Sequence, residues 1–250
     1  MPRILLETIV SSLDDARAAH AGGADRFELC SALALGGLTP SLGLLAAVKA
    51  DLSVPVMFMV RPREAGMAYT QADLAVMERD ASLALEHGAD GLVFGFLTPG
   101  GEVDGEPCRR LLSLAGNRQT VFHRAYDVVA DPVRALEQLV DLGFTRVLTS
   151  GRAAQATDGL PEIRRTVEQA AGRIQVLPGG GIRAETVARV IAETGVDQVH
   201  LSITRAAPDP STSANPAVRF GVDLPPTETE YRTADEGETR RVRDILDALR

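Results

Sequence analysis

"GGADRFEL" (22–29) holds one architectural unit in eight residues: a glycine that closes a helix, a short turn, and the start of a strand. Glycine suits that closing position because a left-handed backbone there carries no Cβ penalty. The same grammar returns in "HGADGLVF" (87–94), "LGFTRVLT" (142–149) and "TGVDQVHL" (194–201). Working outward from these, short apolar strands are expected at 3–8, 26–30, 54–60, 91–96, 119–125, 146–150, 173–179 and 198–202. Between them lie amphipathic helical stretches such as "TQADLAVMERDASLALEHG" (70–88), with apolar residues at three- and four-residue spacing. Eight such units in 250 residues match a (β/α)8 TIM barrel, an α/β fold filling 1–250 as a single domain. A doubly wound open sheet fits less well, because no G-x-G-x-x-G follows the first strand. The rhythm breaks at about 205–234, a proline-rich stretch with no helical period that reads as a long loop over the barrel mouth. A last helix is expected in "DEGETRRVRDILDALR" (235–250).

Composition narrows the function classes. The chain is 45% hydrophobic with a net charge of −8 and acidic and basic residues mixed, which gives nucleic acid no basic patch to bind. No apolar run approaches the roughly 18 residues of a membrane span, and "MPRILLETIV" (1–10) does not read as a signal peptide. The expected location is the cytoplasm. Lys49 is the only lysine and falls in a helical stretch, so Schiff-base chemistry has no amine at a strand end. Cys30 and Cys108 are the only cysteines, without CxxC spacing, and read as reduced thiols.

In barrels of this kind functional groups gather at the C-terminal ends of the strands. Those positions hold Glu7, Glu28 with Cys30, Arg61 with Arg63, His123 with Arg124 and Asp127, Thr149 with Ser150, and His200 with Ser202. Two carboxylates, two imidazoles and an arginine on one rim can do acid–base work or hold a divalent metal. A structural ion-pair network capping the barrel is the alternative. Strand parity places Arg61 on the face of Met57 and Met59, Glu28 with Cys30, and His200 with Ser202. It also turns Arg124 away from His123, and His123 is expected to face the axis. The turn in "VLPGGGIRAETV" (176–187) offers Gly179, Gly180 and Gly181, with the backbone near Ser202, as a phosphate-binding loop. The alternative is a tight turn that needs glycine for backbone reasons. Copper(I) favours two or three soft sulfur donors, so Cys30 needs Met57, Met59 or a cysteine from a second chain. Cys108 follows Pro107 in the first turn of a helix and reads as a packing residue.

Several long stretches resemble the CutC family of copper homeostasis proteins: "GGADRFELCSALALGGLTPSLGLL" (22–45), "VPVMFMVRPREAG" (54–66), "GADGLVFGFLTPGGEVD" (88–104), "VFHRAYDVVADPVRALEQLVDLGFTRVLTSG" (121–151) and "GRIQVLPGGGI" (172–182). The resemblance runs from residue 4 to about 220. It implies a cytoplasmic barrel, homodimers or higher homo-oligomers, and cysteine-based copper(I) binding and trafficking. Some relatives carry a cysteine where this chain has Ile9, which leaves Cys30 as the matching metal ligand. The alternative expectation is an enzyme acting on a small anionic or phosphorylated metabolite. There the glycine loop would hold the anion and Arg61 would neutralise a second negative group. Glu7 or Glu28 would work with His123 as acid and base, with His200 beside them.

Overall fold

The strands follow from apolar, β-branched runs too short for helices, each closed off by a glycine- or aspartate-bearing turn. In the computed structural model, which describes residues 3–220 and 228–249, they are β1 (Leu5–Val10), β2 (Arg26–Leu29), β3 (Val56–Met59) and β4 (Gly91–Phe94). They continue as β5 (Gln119–Phe122), β6 (Arg146–Thr149), β7 (Gln175–Pro178) and β8 (Gln198–Leu201). All pair in parallel in the order β7-β6-β5-β4-β3-β2-β1-β8, and a bridge between Gly179 and His200 brings β7 against β8. The expected (β/α)8 TIM barrel is the fold.

Seven helices join successive strands: α1 (Leu13–Ala21), α2 (Leu42–Asp51), α3 (Gln71–Glu86), α4 (Gly105–Ala115), α5 (Pro132–Leu142), α6 (Leu160–Ala170) and α7 (Ala184–Thr194). An eighth, α8 (Glu236–Ala248), packs on α7 and α1. Ser12, Ser41, Thr70, Asp104, Asp131 and Asp235 cap six of them by accepting a backbone N–H, each worth about 1 kcal/mol. Gly143 and Gly195 close α5 and α7 with φ of 86° and 73°, as the repeated grammar requires.

Alternation along each strand separates two cores. Outward residues such as Leu6, Phe27, Phe58, Phe94 and Val199 pack under the helices. Inward residues Cys30, Met57, Met59, Val93, Val121, Leu148 and Leu177 form a smaller cluster inside the barrel. Among the described residues, no helix is long and apolar enough to cross a membrane.

The stretch expected to be an irregular loop at about 205–234 contains an antiparallel ribbon, β9 (Thr204–Pro208) paired with β10 (Glu230–Ala234); residues 221–227 lie outside the described residues. Its strands are largely exposed, so they carry no apolar alternation to announce them. The ribbon docks on α1: the Asp15 carboxylate accepts the Ala234 N–H at 2.7 Å and the Thr233 hydroxyl at 2.9 Å. Its described residues stand beside the barrel mouth, and none of them lines the cavity there.

Candidate functional site

The site rests on a polar layer that fills the barrel below it. Arg26, Gln119, Arg146, Gln175 and Gln198 each occupy the first residue of a strand. Arg146 donates to Gln175 and Gln119, both at 3.0 Å, and Arg26 donates to Gln198 at 2.9 Å and to Glu7. Burial pulls the Arg146 guanidinium down to about 10. Such a layer is stable only because its members bond one another. The sequence reading missed it. Its signal was a polar residue two or four positions before the rim residue of the same strand.

Glu7 links this layer to the mouth. One carboxylate oxygen takes the Arg26 guanidinium and the other takes the His200 Nδ1–H at 2.7 Å. Burial alone would raise its pKa; Arg26, and then His200, hold it far below the carboxylate range. With Nδ1 committed, His200 presents Nε2 toward Glu28, whose Oε2 lies 3.8 Å away, beyond hydrogen-bond reach. Burial would lower the His200 pKa, but the charges of Glu28 and Glu7 and the hydrogen bond to Glu7 outweigh it and raise it. Glu28 has no such support. Burial pushes its carboxyl up to about 7, with His200 opposing and Glu7 adding to the rise, and its Oε1 has no partner.

Above these groups opens a cavity of about 400 Å³, lined among others by Glu28, Arg61, His123, Gly180, His200 and Ser202. The expected rim groups Glu28, Arg61, His123 and His200 therefore meet in one place, with Glu7 just beneath. His123 Nδ1 accepts the Ala125 N–H at 3.2 Å, so in its neutral form Nε2 carries the proton. Burial, and then the charge of Arg61, drive its pKa down to about 3. Nε2 is buried and has no partner. A Cβ at Gly95 would lie 2.6 Å from the ring, so glycine is what admits the imidazole.

Other rim groups also hold the scaffold. Arg61 donates to the carbonyls of Leu35, Gly37 and Ala65 at 2.9–3.0 Å and clamps two loops. Arg63 pairs with Asp73 and stacks over Tyr69. Asp127 gathers Thr149, Ser150 and Arg152 and pairs with Arg124. Arg124 nevertheless reaches the cavity wall, contrary to the parity expectation. The reason is local: β5 ends at Phe122, and His123 opens a 3₁₀ turn in which alternation no longer holds. The glycine loop divides as well. Gly180 and Gly181 line the cavity at φ of 106° and 71°. Gly179 donates its N–H to Thr149 O, and a Cβ there would lie 2.9 Å from His200.

Cys30 is fully buried in the inner cluster with Met57 and Met59. A Cβ at Gly37 would lie 3.5 Å from its Sγ and 3.9 Å from the Met59 methyl, so both sulfur side chains pack on that glycine. Burial, and then Glu28, push the thiol up to about 12. Cys108 sits in α4 under the helical layer, its thiol raised to about 12 by burial. Neither cysteine is in a disulfide. Three groups, Glu7, Glu28 and His200, also offer oxygen and nitrogen donors within 4.8 Å of one another.

Residues 4–205 match the model of the CutC family. The chain is 47% identical over 242 residues to the family protein CutC of Treponema denticola, covering 97% of this chain and 98% of that one. It is 43% identical over 241 residues to the human copper homeostasis protein cutC homolog, covering 96% and 88%. The solved structure of the CutC protein of Streptococcus agalactiae superposes with a TM-score of 0.76 at 36% identity, covering 79% of this chain and 97% of that chain.

Proposed function

The chain belongs to the CutC family, and from that premise we propose that it serves copper homeostasis by taking Cu(I) as cargo at the sulfur cluster of Cys30, Met57 and Met59. The observation that carries this reading is that one cysteine and two methionines belong to a single buried cluster inside the barrel. Cu(I) selects soft sulfur donors, whereas magnesium and calcium select oxygen. Cys30 supplies the anionic donor once its proton leaves, and the methionine sulfurs complete the set without a second cysteine at Ile9. In this reading the protein works in the cytoplasm, as a single-domain barrel and as a homodimer or higher homo-oligomer.

Anaerobic titration of the reduced protein with Cu(I), against a chromophoric chelator, tests the proposal. One Cu(I) per chain is expected, with affinity at least about tenfold weaker in Cys30→Ser and a smaller loss in Met59→Leu. A wild-type chain that yields all its copper to the chelator, or a Cys30→Ser variant that binds as well, refutes it.

A further inference from the structure

We propose that the barrel mouth holds a second site, beside the sulfur cluster whose Met59 also lines this cavity, for a small hydroxy-carboxylate: a monoanion carrying a hydroxyl beside its carboxyl group. The argument begins with polar atoms that have nothing to bind. Glu28 and His123 are 3% and 4% exposed, and each leaves one atom, Oε1 and Nε2, unpartnered. A buried polar atom without a partner has given up its water and gained nothing in exchange. With the Arg61 Nε, likewise buried and unpartnered, three such atoms belong to residues on the wall of one cavity and mark a place built to be filled.

Their hydrogen-bond roles define the occupant. His123 Nε2–H is a donor, fixed by the bond that Nδ1 accepts from Ala125, and it calls for an acceptor oxygen. A hydroxyl is the ligand group that can meet Glu28 Oε1 in either role, donating to the carboxylate or accepting from the carboxylic acid, and still bond a neighbour. His200 Nε2, 3.8 Å from Glu28 Oε2, flanks the same hydroxyl position, with its ring held by Glu7. Charge sets the remaining group. The terminal nitrogens of Arg61 bond only neutral carbonyls, so its positive charge on the cavity wall is left for a ligand anion. Arg124, the other arginine on that wall, is already paired with Asp127. A carboxylate suits one available guanidinium beside Glu28 better than a phosphate dianion does. A cavity of about 400 Å³ admits a compact metabolite.

The probes are D-glycerate, glycolate and L-lactate, tested by calorimetric titration and melting shift, with acetate and ethylene glycol as controls lacking the hydroxyl or the carboxylate. At least one hydroxy acid is expected to bind at least about tenfold more tightly than both controls. His123→Asn and Glu28→Leu should each weaken that binding at least about tenfold. The Asn side chain keeps the acceptor for the Ala125 N–H but is too short to place a donor where Nε2 points. Circular dichroism checks the fold of each variant, and if one fails to fold the other decides. His123→Asn should leave Cu(I) titration unchanged, which separates this site from the sulfur cluster. No binding by any of the three hydroxy acids, binding no better than acetate, or binding untouched in the folded variants overturns the proposal.

Discussion

His123 gives the most quantitative handle on the mouth of the barrel. Its imidazole is buried, with a pKa carried from the ordinary 6.5 to about 3 by burial and by Arg61. The unfolded chain therefore takes up this proton first as the solution is acidified. The stability tied to a neutral His123 is complete above pH 6.5 and drains away as pH falls toward 3. At pH 5 the loss amounts to about 2 kcal/mol, set almost wholly by protonation of the unfolded chain. For a chain of this length that corresponds to about 4–8 °C in melting temperature. His123→Asn keeps the acceptor for the Ala125 N–H and cannot titrate. Between pH 7.5 and 5 its melting temperature should fall by that much less than the wild type's, whatever the offset between the two proteins at pH 7.5. His200 titrates in both and moves both curves. The assay is scanning calorimetry over that range. Parallel curves for the two proteins would mean that His123 carries no pKa depression, and the account of its environment would be wrong.

Two further substitutions test the scaffold. In Gly91→Ala the new Cβ would lie 2.4 Å from the Gln119 carbonyl oxygen and 2.8 Å from the Met57 sulfur, a clash with backbone that side-chain motion cannot relieve. A loss of about 3 kcal/mol or more is expected in urea unfolding, and an unchanged midpoint would contradict the tight β4–β5 contact. Asp15→Asn weakens the carboxylate bonds to Ala234 and Thr233 that seat the β9–β10 ribbon. Limited proteolysis should then cut within 204–234 faster than in the wild type, with about 1–2 kcal/mol lost in stability. Equal cleavage rates would show that the ribbon is held by other contacts.

The eight strands were legible because each is a local event: an apolar run, a helix-closing glycine, a fixed spacing. The gathering of Glu28, Arg61, His123 and His200 was legible for a related reason, since parallel strands put all their C-terminal ends on one rim. The β9–β10 ribbon was not, because its strands are largely exposed and are seated against α1 by tertiary contacts such as those of Asp15. Arg124 was misplaced because parity stops where the strand stops.

The sequence alone therefore determined the closed ring, the rim that carries the site, and the family. Those depend on residue order and on the repeat, which any (β/α)8 chain must obey. Only the tertiary structure decided what each rim residue does. It divided the arginines between loop clamp and polar layer, bound Glu7 to Arg26 and His200, and left Glu28 and His123 each with one open hydrogen-bonding atom. Which atoms find partners depends on side chains from strands far apart in sequence, and packing alone fixes that choice.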